Sequence, residues 1–270
     1  MTYALTLEQT RAPEPRTQAG LTQAVRAEWR KLVSLRSTVW ALLITLAGTV
    51  LVSYLSAHGA RHGRQPAGFY RGFDPTNTAL AGLALGSLVI GIFGVLSMTG
   101  EYGSGTIRSS LAAVPRRRVF FAAKVIVLGT CALVVGMVMS FVSFYVGQAV
   151  LSGGAPTATL SDPGVLRVLL ESGAFLALLA LFGVGLGAMI RHSAGAIATF
   201  VGCTLLLPLL LHEVPGNVVR FSPESIFANS VADVVPTNGA VSSTEGFILM
   251  AGYTVLALAV GGVLLVRRDA

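Results

Sequence analysis

Charge is the scarce ingredient of this sequence. Only 11% of its 270 residues are Asp, Glu, Lys or Arg, where an average soluble domain carries roughly 25%. The stretches 37–60, 75–100, 125–161, 172–190, 192–212 and 246–266 hold none. All six have at least 19 residues, more than the roughly 18 that a helix needs to cross hydrocarbon. A water-facing globule is excluded. So is a closed barrel, whose strands alternate in polarity, because runs such as Leu88-Val89-Ile90-Gly91-Ile92-Phe93 do not. What remains is an all-α transmembrane, polytopic protein of six helices.

Other shortages narrow the chemistry. Cys131 and Cys203 are the only cysteines, both in apolar runs and without a C-x-x-C spacing, which suits small packing residues rather than redox or metal ligands. Lys31 and Lys124 are the only lysines, and each lacks the preceding glycine of G-x-x-x-x-G-K-[ST]; without that loop the chain does not cradle nucleotide phosphates as a P-loop ATPase does. No serine sits in a G-x-S-x-G elbow, and the spans carry no row of Asp, Glu or His for a proton relay. His58 and His62 stand at helical spacing, but Gly59 and Gly63 interrupt them and no carboxylate is near in sequence, so a solvated loop competes with a metal site there. The Gly183-Val184-Gly185-Leu186-Gly187-Ala188 run lies mid-span, where close helix packing explains it, as it explains Gly82 and Gly86.

The apolar periodicity places spans at about 39–57, 79–98, 120–150, 165–190, 194–211 and 246–266. An even number puts both termini on one side. That side holds 14 of the 19 Lys and Arg, among them Arg26, Arg30, Lys31, Arg108, Arg116, Arg117, Arg118 and Lys124; the other holds Arg61, Arg64, Arg71, Arg167 and Arg220. By the positive-inside rule the termini are cytoplasmic. The net charge of +7 is then a topology signal and an attraction to anionic lipid, not a nucleic-acid surface. Residues 1–20 read as a disordered cytoplasmic tail, and the first apolar run as a retained anchor rather than a signal peptide. Leu21, Val25, Trp29 and Leu32 recur at helical spacing; either this is a helix lying on the membrane surface or a cytoplasmic extension of the first span. The segment from His58 to Thr78 reads as a loop. Pro215, Pro223 and Pro236 break the segment before the last span, which reads as short re-entrant or interfacial helices. Arg167 and Glu171, one turn apart in the fourth span, are either pathway residues or a self-neutralising pair.

Between spans two and three lies the most informative segment, Glu101-Tyr102-Gly103-Ser104-Gly105-Thr106-Ile107-Arg108, followed by Leu111, Val114 and the basic run Arg116-Arg117-Arg118. Ser104 or Thr106 is placed to cap a short helix with Ile107, Leu111 and Val114 on one face. Such a helix is expected to have nothing in this chain to pack on, so that lipid or a partner covers its apolar face. Glu101 is expected either to cap this helix through its dipole or to pair with a basic residue of a partner.

That segment, together with Ala27-Glu28-Trp29-Arg30-Lys31-Leu32 and Leu35-Arg36-Ser37-Thr38-Val39-Trp40, resembles the permease subunits of exporter-type (type-2) ABC transporters of actinobacteria. The resemblance implies an interface helix at about 21–37 (Glu28, Trp29, Lys31, Leu32) and a coupling helix at about 101–118 that docks into a separately encoded ATPase. It also implies short outer helices at about 214–242 and a permease domain over 21–270. The ATPase-coupling residues would be Glu101, Tyr102, Gly103, Gly105, Thr106, Ile107, Arg108, Leu111 and Val114. The chain itself would need no cofactor, since ATP and Mg would belong to the ATPase, and it would not be an enzyme. A second permease chain, identical or not, and membrane lipid would complete the assembly in the plasma membrane. The implied task is expulsion of a hydrophobic or amphipathic compound such as a drug, antibiotic or peptide. Sodium ions or a lipid-linked polymer are rival cargoes, and a non-transporting membrane sensor or stress protein is a rival from another class.

Overall fold

The computed structural model describes residues 20–63, 69, 72–211, 218–231 and 241–268, so the expected tail, Gly20 apart, and part of the segment before the last span lie outside the described residues. All regular structure among them is helical. Helix α1 (Leu21–Ser34) precedes α2 (Arg36–His62), which is followed by the short α3 (Pro75–Leu80), then α4 (Leu83–Gly103), α5 (Thr106–Ala113), α6 (Arg117–Leu151) and α7 (Val165–Ile190). Helix α8 (Ser193–Val201) runs through a π-helical turn (Gly202–Leu206) into α9 (Leu207–Leu211). A 3₁₀ turn (Val218–Phe221), α10 (Pro223–Val231) and α11 (Ser243–Arg267) complete the order. Among the described residues six helices are long and apolar enough to span a bilayer: α2, α4, α6, α7, the α8–α9 unit and α11.

Helix α7 is the axis of the bundle. Of its most apolar stretch 67% is buried, against 17% in α2 and 28% in α11, and α4, α6 and α11 pack around it. Small residues permit the approach. A Cβ at Gly82 would stand 1.9 Å from the Thr49 carbonyl oxygen of α2, and one at Gly183 would stand 2.3 Å from the Gly91 carbonyl oxygen of α4, so both small-residue stripes are used inside this chain. Phe144, Phe175, Leu176, Met139 and Phe200 fill the space around α7.

Local chemistry sets several boundaries differently from the hydropathy pattern. Helix α2 continues to His62 through Gly59, so His58 and His62 belong to a helix, not a loop, with ring centroids 4.5 Å apart. Residues 75–80 form their own helix because Asp74 Oδ1 accepts from Thr76 N (2.8 Å) and Asn77 N (2.9 Å) with Pro75 in the first turn. The fifth span is not a plain α-helix. Pro208 has no N–H to return to the turn before it, and the residues just ahead, 202–206, take up the π form. Helix α11 begins on a capping box, with Glu245 N donating to Ser242 Oγ at 3.4 Å and Ser242 N to Glu245 Oε2 at 3.2 Å.

Candidate functional site

One end of the bundle collects the basic residues: α1, the last turn of α4, α5, the first turns of α6, and the α7–α8 turn. Four ionisable side chains meet there. Lys124 Nζ of α6 donates to Glu28 Oε2 of α1 at 2.8 Å and to Glu101 Oε1 of α4 at 2.6 Å. Lys31 Nζ donates to Glu28 Oε1 at 2.6 Å, to Glu101 Oε1 at 3.1 Å and to Ser110 Oγ of α5 at 2.9 Å. Phe120 presents its ring to both ammonium groups, at 5.6 Å and 5.4 Å from its centroid. The set is neutral, with two carboxylates against two ammoniums, and mostly shut from water: the side chains of Lys124, Glu28 and Glu101 are 4%, 8% and 11% exposed. Lys31 is half-exposed. Burial disfavours its charge, but the hydrogen bond and charge of Glu28, then those of Glu101, outweigh it and hold the ammonium above its ordinary range.

These contacts correct the expectations for the hairpin. Glu101, Tyr102 and Gly103 are not loop residues but the last turn of α4. Glu101 neither caps α5 nor stands free for a partner; it is paired within the chain. The N-cap of α5 is Gly105, in the left-handed region at φ 72°, where a side chain at Ser104 or Thr106 gives no cap and glycine avoids the Cβ penalty. The apolar face has cover of its own: Ile107 and Val114 are buried and Leu111 half-buried in a cluster with Ala24, Met98, Phe120, Ala123 and Leu265. The reversal is physical. An amphipathic pattern says that one face needs cover, not which surface gives it. What α5 turns outward is Thr106, Arg108, Ser109, Ala112 and Ala113, all exposed.

On α1 the inward residues are Ala24, Val25, Glu28 and Leu32, while Leu21, Trp29 and Val33 are exposed. The arginines counted for topology do further work. Arg117 Nη1 donates to the Leu265 and Arg268 carbonyls at 3.0 and 2.6 Å, and Arg191 Nη2 donates at 3.2 Å to the Leu264 carbonyl, which also accepts from Arg268 N; both place positive charge at the carbonyl end of α11. Arg191 also lies over the ring of Tyr102 at 5.1 Å. Lys124 is the residue that sequence reading used only as a topology charge. The signal was available: it is one of two lysines, and Glu28 and Glu101 are the only carboxylates between residues 20 and 268 on its side of the spans.

Elsewhere the candidates stay separate. Arg167 Nη1 donates to Glu171 Oε2 at 3.3 Å along α7, and the same oxygen accepts from Ser243 Oγ at the start of α11. The pair therefore sits far along α7 from the ion cluster. No group of three His, Cys, Asp or Glu is arranged to hold a metal among the described residues. A lateral cavity of about 480 Å³ lies between α7, the fifth span and α11, lined by Phe182, Met189, Leu207, Phe221, Tyr253 and Leu256 among others.

With that geometry in place, comparison with protein families is decisive. The family described as ABC-2 family transporter protein matches residues 24–211. The chain belongs to the ABC-2 transporter family. No curated protein matches it. As an ABC-2 protein it is the membrane component of an ABC transporter, a non-catalytic permease that associates with an ATPase subunit. The matched region runs from α1 to the fifth span and so takes in every member of the ion cluster and the whole of α5.

Proposed function

We propose that this permease works as a pair of chains with two copies of a separately encoded ATPase. In this reading it lies in the plasma membrane with both termini cytoplasmic and expels a hydrophobic or amphipathic compound. The observation that carries this reading is the mounting of α5: its apolar face is anchored inside the chain, its polar face is exposed, and Lys31 ties it through Ser110 to the ion cluster. Such a helix is a rigid handle. When ATP and Mg bring the two ATPase subunits together, a push on the outward face of α5 reaches α1, α4 and α6 at once, because Glu28, Glu101 and Lys124 belong to those three helices. Rigid-body movement of the bundles against each other then alternates access to the cargo. The exposed face of α1, with Leu21, Trp29 and Val33, lies along the membrane surface and holds the handle at the headgroups. The apolar lining of the 480 Å³ cavity supports an apolar or amphipathic cargo.

The test separates docking from folding. Arg108→Glu with Ala112→Glu changes only exposed positions of α5 and is expected to leave the melting temperature of the purified permease unchanged. Recovery of the co-expressed ATPase with the permease, and ATP-dependent uptake of cargo into inverted vesicles, should both fall by about tenfold or more, as when an interface anchor is lost. Unaltered recovery and export would overturn the assignment of α5.

A further inference from the structure

At the basic end, α6 and α11 flank an open apolar groove of about 600 Å³, lined by Phe121, Val125, Leu258 and Val263 together with two arginines, Arg118 and Arg267. We propose that this groove is a binding site for an anionic phospholipid, one acyl chain lying between the helices and the headgroup phosphate held by Arg118 and Arg267.

Three observations converge on that occupant. The two arginines are exposed and, unlike the neighbouring Arg117, which is spent on the end of α11, hold no hydrogen bond or ion pair among the described residues. They lie at the same end of the bundle: Arg118 is the second residue of α6 and Arg267 the last of α11, and Arg117 beside the first reaches the Leu265 and Arg268 carbonyls on either side of the second. The groove runs from Arg267 back to Val255, about 18 Å of helix at 1.5 Å per residue, close to the roughly 15 Å of one leaflet's hydrocarbon. Its bed is firm: Arg117 joins α6 to the carbonyls of α11, and a Cβ at Gly262 would stand 3.3 Å from the Phe121 ring. A zwitterionic lipid would offer its own ammonium against the two arginines. An anionic headgroup meets them without that opposition, and its phosphate matches a guanidinium fork.

The full-length chain, purified in mild detergent and stripped of lipid, is titrated with phosphatidylglycerol and with phosphatidylcholine of the same acyl chains, bound lipid being counted by native mass spectrometry. Phosphatidylglycerol should bind the wild type preferentially, and Arg118→Ala with Arg267→Ala should weaken it about 30-fold, equivalent to roughly 1 kcal/mol for each basic residue near a lipid surface. Arg26→Ala with Arg30→Ala, at exposed positions of α1, should not. Ala259→Phe fills the groove while keeping both arginines, and should also release the lipid; Val255→Phe does the same from the far end. Equal binding of the two lipids, full retention by the double arginine variant, or retention by both groove-filling variants would overturn the site. So would a second copy of the chain that occupies this face and excludes lipid.

Discussion

At the scale of single residues, the clearest feature is the concentration of both lysines and two carboxylates in one buried cluster. Removing water from four charges is expensive, and mutual attraction offsets that expense only while all the partners are present. Lys124 is the pivot, since it touches both carboxylates and is the most deeply buried of the four. Lys124→Met leaves Glu28 and Glu101 to face each other with only the half-exposed Lys31 between them. The expected loss is about 3 kcal/mol, the lower end of the range for breaking a buried pair, read as a fall in the melting temperature in detergent. Adding Glu101→Leu removes the stranded charge and should recover part of the loss, so the double-mutant cycle should show a coupling of at least about 1 kcal/mol. A cycle that closes to zero would mean that the two residues act independently.

At the scale of elements, the apolar runs made the six spans legible because a helix in lipid must be apolar throughout. The contacts between spans were not legible in the same way. Lys124 and Glu28 are 96 residues apart, and no local period connects them. Helix α5 shows the same limit from another side: the pattern gave its apolar face, but whether Ile107 meets a partner or its own chain depends on where α1 and α6 lie. The small-residue stripes were legible as packing surfaces, while their partners, Thr49 for Gly82 and Gly91 for Gly183, became visible only in three dimensions. These contacts make a prediction about helices rather than side chains. Gly183→Val drives a branched side chain into the Gly91 carbonyl and must separate α4 from α7, with an expected destabilisation of about 2–3 kcal/mol. Gly252→Ala on α11, where nothing lies within 4 Å, should be neutral or raise stability by up to about 1 kcal/mol through helix propensity. A thermal melt of both variants checks the contrast.

At the scale of the whole molecule, the spans and the basic end have different jobs. Helix α6 has 35 residues, about 52 Å at 1.5 Å per residue, far beyond the roughly 30 Å of hydrocarbon. The turns that carry Phe120 and Lys124 lie at the headgroup end of this helix, where α1 and α5 pack on it. Among the described residues the same end carries 12 of the 15 Lys and Arg, so the positive-inside rule and the proposed docking of α5 require the same orientation. They can be tested together. In a background with Cys131 and Cys203 replaced, Ser104→Cys in the exposed turn before α5 and Ser161→Cys in the exposed α6–α7 connection report on opposite ends of the bundle. A membrane-impermeant maleimide added to intact cells should label Ser161→Cys and reach Ser104→Cys only after permeabilisation. The reverse pattern would place α5 on the side without ATP, and no arrangement of the ion cluster would then let a cytoplasmic ATPase push on it.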